Sequence, residues 1–275
     1  MNALEIKKLN KAFPGFRLED LNLTLPAGCI MGLIGENGAG KSTTIRLILE
    51  MLRPDSGQIT VLGRERIDKE EVGVVLDEVG IPESLTAKQV GRVMANIYRN
   101  WERDTYESHL RKLSIPDNKP FKDFSRGMKM KLGIAVAMSH RAKLLILDEA
   151  TSGLDPVVRD EVVEMFSEFT RDENHAVLIS SHIVSDLEKL CDYVAFLHKG
   201  KLLLCEEKDL LLGKFAIVHG TADVLNALDA GAVLGRRVNA YGGQAIVRRD
   251  AVPAGMAVSP VSIEELFLFM VKEGK

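Results

Sequence analysis

The sequence is poor in the residues that mark disulfide-rich or metal-rich proteins. Its 275 residues include three cysteines and one tryptophan. Cys29, Cys191 and Cys205 are scattered along the chain and form no CxxC pair, which argues against a disulfide framework and against a zinc site. We therefore expect a reducing compartment, with the cysteines serving as small buried apolar residues.

The sequence also lacks long apolar runs and an excess of charge of one sign. No run approaches the roughly 20 apolar residues that cross a bilayer, and the first residues lack the basic-then-apolar order of a signal peptide. The 36 Lys and Arg residues are balanced by 39 Asp and Glu residues, so the net charge is −3. We expect no nucleic-acid partner, and any membrane role has to come through another protein.

The chain does contain a phosphate-loop pattern, GxxxxGK[ST], directly after an apolar strand predicted at residues 30–34. Glycines let backbone N–H groups turn toward a phosphate, Lys41 adds positive charge, and the Ser42 hydroxyl can bind Mg²⁺. A helix over residues 43–49 would point its N-terminal dipole at the same phosphates. The predicted nucleotide triphosphate site consists of Gly35, Glu36, Asn37, Gly38, Ala39, Gly40, Lys41, Ser42 and Thr43.

Two adjacent acids follow a second apolar run, at residues 144–147. Asp148 comes first, at the strand end from which a carboxylate holds Mg²⁺ in phosphate-loop enzymes. Glu149 is then available as the general base for the attacking water. His182 comes just after another apolar strand, at residues 177–179, so we expect it at the same edge of a parallel sheet.

The order of predicted strands and helices along the chain indicates an α/β fold with a phosphate-loop ATPase core at residues 1–212. Short alternating strands near the start indicate an N-terminal antiparallel β subdomain, at residues 4–8 and 21–25. Alternating strands and helices in the second half predict a parallel sheet. Helical spacing between these parts predicts a helical insertion at about residues 78–140.

Residues 213–275 are predicted to form a small accessory α+β domain at the C-terminus. Two strands flank a turn at residues 239–243, and the last helix begins with a capping box formed by Ser262 and Glu265. This segment carries no nucleotide motif. We therefore expect a chain that ends at Leu212 to fold and to bind ATP.

Further motifs give the chain a resemblance to the ATP-binding subunits of ABC transporters. Ser152-Gly153-Leu154-Asp155 resembles the family's D-loop, and Ser181-His182 resembles its switch histidine. Phe124-Ser125-Arg126-Gly127-Met128 stands in the place of the LSGGQ signature. Phe13 stands where the family has an aromatic residue that stacks on adenine. The residues alone leave two alternatives open, Phe13 as a core residue beside a turn and Phe16 as the stacking ring.

The resemblance covers roughly residues 1–210 and implies an ATPase that uses Mg²⁺ and works as a dimer of nucleotide-binding subunits. It would act on the cytoplasmic side of the cell membrane, below a multi-span membrane permease. Each ATP lies between one subunit's phosphate loop and the other's signature in this family. The resemblance implies catalytic roles for Glu149 and His182, contacts of Ser125, Arg126, Gly127 and Met128 with the opposite subunit's ATP, dimer coupling by Asp155, and Mg²⁺ binding by Ser42, Asp77 and Asp148.

Two departures from the family pattern bear on this site. Asp77 stands where the family has a glutamine that reaches Mg²⁺, so it adds negative charge beside the γ-phosphate. Arg126 and Met128 replace a glycine and the glutamine of the signature. Ser125 and Gly127 keep a hydroxyl and a close backbone N–H, so we expect the signature to remain competent.

Within the family, the chain resembles bacterial exporters whose ATPase and permease are separate chains, the group linked with acetoin use and with resistance to cell-envelope antibiotics. An alternative is a soluble ABC-type ATPase that acts on nucleic acid or ribosomes. The chain has no long heptad insertion, zinc cluster or basic tail that would favour it. A third alternative, an ATP-binding module without turnover, is disfavoured because Glu149 and His182 are both present.

Overall fold

The computed structural model describes residues 1–151, 153–239, 242–253 and 255–273. Ser152 of the predicted D-loop and Ala240 and Tyr241 of the predicted turn lie outside the described residues. The strands are β1 (Asn2–Phe13), β2 (Phe16–Pro26), β3 (Ile30–Gly35), β4 (Ser56–Val61), β5 (Val72–Val75), β6 (Leu144–Asp148), β7 (Ala176–Ser181), β8 (Tyr193–His198), β9 (Lys201–Glu207), β10 (Phe215–Gly220), β11 (Val233–Asn239), β12 (Gly242–Arg248) and β13 (Val258–Ser259).

The helices follow the same order along the chain. They are α1 (Lys41–Ile48), α2 (Ala87–Ile97), α3 (Arg103–Lys112), α4 (Arg126–Ala137), α5 (Pro156–Phe169), α6 (Val184–Leu190), α7 (Lys208–Lys214), α8 (Ala222–Asn226) and α9 (Ile263–Glu273). No helix among the described residues combines the length and the apolar character that a membrane crossing requires.

A six-stranded sheet forms the centre of the molecule, with the strand order β5-β6-β7-β3-β8-β9. Its first five strands are parallel and β9 pairs antiparallel with β8. Alternate residues of the strands pack into different apolar clusters, Ile34 and Leu147 into one and Leu33 and Ile146 into the other. The continuous apolar runs of the sequence therefore belong to strands that are buried on both faces.

The N-terminal sheet is antiparallel, with the order β2-β1-β4. Its first two strands are much longer than the predicted segments at residues 4–8 and 21–25. Register shifts interrupt β1 between Ile6 and Lys11, and Lys8 has a φ of 48°. The Asn22 side chain accepts the Lys8 N–H at 2.9 Å. These irregularities break the period-two pattern, so the sequence shows only part of each strand.

The helical insertion lies between β5 and β6 and contains α2, α3 and α4. A capping box of Thr86 and Gln89 begins α2. Tyr106 of α3 packs against α2, where its hydroxyl donates to the Ala87 carbonyl oxygen at 2.8 Å. The α/β core, the antiparallel N-terminal sheet and the insertion are confirmed.

The C-terminal segment forms an antiparallel sheet with the order β11-β12-β10-β13. The predicted capping box is present, since the Glu265 carboxylate accepts the Ser262 N–H at 3.0 Å. Helix α9 packs into the main apolar cluster, with Phe267 edge-on to Phe196 of β8 at 5.3 Å between ring centroids. The segment therefore shares a core with the rest of the molecule, and its independence as a domain stays a prediction.

The three cysteines are free thiols. Cys191 is buried in the main apolar cluster, while Cys29 and Cys205 are partly buried against the second cluster. Burial raises the pKa of each of these thiols above its ordinary value. They pack as small apolar residues, as the sequence predicts.

Candidate nucleotide-binding site

The phosphate loop joins β3 to α1 at the carboxyl edge of the central sheet. At two positions of the loop, the backbone conformation or the close packing of neighbouring atoms requires glycine. Gly40 has a φ of 112°, and a Cβ there would lie 2.9 Å from the Phe16 ring. A Cβ on Gly35 would lie 2.5 Å from the Leu197 carbonyl oxygen. Helix α1 has no side-chain cap at its N-terminus, so its first N–H groups stay available to an anion.

Lys41 is the first residue of α1 and is 6% exposed. Its Nζ donates to the Gly35 carbonyl oxygen at 2.8 Å and lies 3.3 Å from Glu149 Oε1. Moving a charged group from water into the protein interior costs free energy, so a buried ammonium needs hydrogen-bonding and ionic partners such as these. The buried ammonium supplies positive charge at the position where a phosphate would meet the loop.

Asp148 ends β6, and Glu149 follows with a φ of 55°, which is uncommon for a residue with a side chain. Ser180 of β7 holds both acids. Its hydroxyl donates to Asp148 Oδ1 at 2.5 Å and accepts the Glu149 N–H at 3.1 Å. Sequence reasoning missed this role of Ser180. The available signal was the pair of hydroxyl residues, Ser180 and Ser181, that ends an otherwise apolar strand.

His182 follows directly after β7. Its Nδ1–H donates to Glu149 Oε2 at 2.7 Å. Lys41 lies on the other carboxylate oxygen, so Glu149 is held between two nitrogen donors. The structure thus brings the predicted base, the predicted switch histidine and the phosphate-loop lysine into direct contact.

These groups belong to a cavity of about 740 Å³. Such a volume lies in the ordinary range of small-molecule sites. The cavity is lined by Gly15, Phe16, Glu36, Asn37, Gly38, Gly40, Lys41, Ser42, Thr43, Asp77, Arg126, Glu149 and His182.

Several predicted site residues lie beside this cavity. Gly35, Ala39 and Asp148 are buried next to its lining. Phe13 is 38% exposed and stacks on Phe16, with ring centroids 6.5 Å apart. Phe16, the alternative that the residues left open, is the ring of this pair that lines the cavity.

The signature residues begin α4. The Ser125 hydroxyl caps this helix by accepting the Met128 N–H at 3.3 Å, and Met128 packs against the main apolar cluster. A Cβ on Gly127 would lie 3.2 Å from the Gly153 carbonyl oxygen, so the signature adjoins the segment before α5.

Asp155 and Arg126 complete the set of predicted residues. Asp155 caps α5 by accepting the Val158 N–H at 3.1 Å. Ser125 and Asp155 are both exposed. Arg126 is the signature residue that lines the cavity of its own chain.

A phosphate loop on a central parallel strand, with an aspartate and a glutamate at a nearby strand end, defines a phosphate-loop ATPase. The ABC transporter family model matches residues 18–152. The lantibiotic transport ATP-binding protein SrtF of Streptococcus pyogenes is 38% identical over 212 residues, which cover 75% of this chain and 91% of that protein.

Further relatives agree with this assignment. The bacitracin transport ATP-binding protein BcrA of Bacillus licheniformis is 37% identical, over 68% of this chain and 63% of that protein. A solved structure of an ATP-binding subunit of an ABC transporter has a TM-score of 0.69 at 30% identity, and the match covers 76% of this chain and 91% of that one. The chain belongs to the ABC transporter family as an ATP-binding subunit and is an ABC-type ATPase. Its resemblance to the antibiotic-related group is confirmed.

Proposed function

We propose that the chain binds Mg-ATP in the cavity of the phosphate loop and hydrolyses it to drive export through a separate membrane permease. The observation that carries the catalytic part is the position of Glu149 between Lys41 and His182. By likeness to relatives named for lantibiotic and bacitracin transport, we expect an antibiotic compound as cargo.

Each residue of the site has a proposed role that follows from its chemistry. The loop N–H groups and Lys41 bind the phosphates. When Lys41 turns to a phosphate, Glu149 Oε1 becomes free to accept a proton from the attacking water. His182 keeps the other oxygen of Glu149 in place through its hydrogen bond. For the adenine, Phe13 stays our proposal, with Phe16 as the cavity-lining alternative.

The oxygen donors fit Mg²⁺. Among the described residues, no group of three or more His, Cys, Asp or Glu side chains forms a metal cluster. Mg²⁺ suits such a place because it is usually held by one or two carboxylates together with substrate phosphates and water. Ser42, Asp148 and Asp77 would supply the protein ligands. When bound, the ion would neutralise phosphate charge.

A second nucleotide-binding subunit, a copy of this chain or a related one, would complete the site. Ser125 and Asp155 are exposed caps of α4 and α5, and Gly127 lies against Gly153 between them. This surface would present the Ser125 hydroxyl and the Gly127 backbone N–H to a nucleotide held by another subunit. Binding of ATP would then close the dimer, and hydrolysis would reopen it.

Co-expression with a multi-span membrane protein encoded next to this chain tests the transport proposal. We expect the two proteins to purify together from detergent extracts, and we expect the permease to change the rate of ATP hydrolysis. The Lys41→Ala variant should still purify with the permease but lose nucleotide binding. Failure of the unmodified chain to associate with the membrane protein, together with a turnover rate that the permease leaves unchanged, would argue against this partner.

A further inference from the structure

Asp77 and Arg126 meet in the cavity that contains the phosphate loop. Asp77 lies just after β5, and Arg126 is the first residue of α4, 49 positions later. The Arg126 guanidinium donates to Asp77 Oδ1 at 2.6 Å. This is the distance of a charge-assisted hydrogen bond. Two residues that separately depart from the family pattern are therefore partners.

The loop before α5 also positions Arg126. A Cβ built on Gly153 would lie 3.3 Å from Arg126 Cδ. The aliphatic part of Arg126 thus rests close to the Gly153 backbone while its guanidinium reaches Asp77. Contacts on two sides hold the arginine at the cavity.

Folding stability does not explain this ion pair. The two side chains are 59% and 53% exposed, and pairs so exposed contribute little to stability. The charges of the cavity give the pair a different consequence. Lys41 is already paired with Glu149, so the positive charge of Arg126 balances the negative charge of Asp77. A triphosphate brings several negative charges that an unpaired Asp77 carboxylate would repel.

We propose that Arg126 acts on the nucleotide of its own subunit, by neutralising Asp77 and so setting the affinity of the cavity for anionic nucleotides. Arg126 is then a positioning residue that acts through Asp77. This inference rests on the proposed function of the cavity. It predicts that the two residues are energetically coupled in nucleotide binding, and that the coupling weakens as salt rises.

A double-mutant cycle tests the coupling. Binding of a fluorescent ATP analogue is measured at low salt, in EDTA and in Mg²⁺, for the unmodified chain, Asp77→Asn, Arg126→Gln and the double variant. Arg126→Gln should weaken binding by about three- to tenfold when Asp77 is present. The same change should alter binding less than about twofold in the Asp77→Asn background. Arg126→Lys should keep most of the affinity.

Equal loss from Arg126→Gln in both backgrounds would overturn the proposal, and so would unchanged binding in every variant. Coupling between Arg126 and Asp77 that appears only with Mg²⁺, and not in EDTA, would also overturn it, because the pair would then act through the metal site and not directly on the charge of the cavity. Melting temperatures of the four proteins establish that all of them are folded.

Two controls separate this inference from the proposed function. The Arg103–Glu107 pair on α3 is a matched exposed pair at 2.9 Å, outside the lining of the cavity. Its removal should leave nucleotide binding unchanged. If Lys41→Ala binds nucleotide as well as the unmodified chain, the proposed function itself fails. If Lys41→Ala loses binding while the Asp77 and Arg126 effects simply add, this inference alone fails.

Discussion

Glu149 occupies a strained position that several neighbours maintain. Its φ of 55° lies in the left-handed region, which residues other than glycine rarely adopt. Lys41 and His182 contact its two carboxylate oxygens, and Ser180 accepts its N–H. The orientation of the proposed base is thus set by contacts from the phosphate loop and from β7.

Ser180 offers a test of this arrangement. Ser180→Ala removes the hydroxyl from Asp148 and Glu149 and leaves a buried carboxylate oxygen without that donor. We expect the free energy of unfolding to fall by about 1–3 kcal/mol, and kcat to fall more than KM changes.

Urea unfolding and steady-state ATPase kinetics measure these effects. Ser167→Ala is the matched control, because that hydroxyl bonds a carbonyl oxygen on the exposed side of α5. A Ser180→Ala protein with unchanged stability and unchanged kcat would show that the two hydrogen bonds are unimportant.

The motif residues of the site could be predicted because the strand, the loop and the helix that position them are continuous in the sequence. Residues 35–43 carry their geometry in their own sequence, and Asp148 follows directly from an apolar strand. The contacts of Ser180 with Glu149 and Asp148 join residues 31 and 32 positions apart, and the contact of Arg126 with Asp77 joins residues 49 positions apart. Single-sequence patterns do not encode which distant polar side chains meet.

At the scale of elements, two histidines of the helical insertion lead us to expect that stability depends on pH, the buried His140 and the partly buried His109. His140 stacks on Tyr98 at 4.0 Å between ring centroids, and its Nδ1–H donates to the Glu70 carbonyl oxygen. Its Nε2 is buried without a hydrogen-bond partner among the described residues. Burial lowers the pKa of His140 and of His109 on α3.

The direction of the pH effect follows from these lowered pKa values. Below about pH 6.5 the unfolded chain binds protons that the folded state does not. The stability that the neutral rings contribute is therefore complete above that pH and is lost as pH falls toward the folded pKa values. The urea midpoint should drop between pH 8 and pH 5.5. His140→Gln should reduce that drop, whereas an unchanged drop would show that His140 does not titrate with unfolding.

Helix α9 determines whether the C-terminal segment is independent. Phe267 contacts Phe196, and the Ile263 N–H donates to the Glu188 carboxylate on α6. We expect Phe267→Ala to lower the free energy of unfolding by about 3 kcal/mol. The exposed Leu210→Ala control should change it by less than about 0.5 kcal/mol.

A chain that ends at Leu212 provides the second readout. The sequence predicts that this chain folds, whereas the shared core favours the opposite outcome, an insoluble protein or a broad unfolding transition. A soluble, cooperatively folding fragment would favour the independent domain that the sequence predicts. Sequence patterns locate α9 and its cap, but they do not show which apolar surface the helix covers.

At the scale of the whole molecule, the proposal requires two nucleotide-binding subunits. Glu149→Gln should form an ATP-dependent dimer, because blocked hydrolysis keeps ATP between the subunits. Size-exclusion chromatography with light scattering measures this. Ser125→Arg in the same background should abolish the dimer by obstructing the signature surface. A monomer at saturating ATP would contradict self-association and indicate a different partner subunit.

The most direct test of the central claim is ATP turnover by Glu149→Gln beside the unmodified chain, with nucleotide affinity measured on the same samples. The amide keeps the shape of the carboxylate but cannot take the proton of the attacking water, so turnover should fall about a hundredfold or more. ATP affinity should stay within about twofold, because the phosphate contacts remain. Hydrolysis by Glu149→Gln at the rate of the unmodified chain would contradict the assignment of Glu149 as the general base.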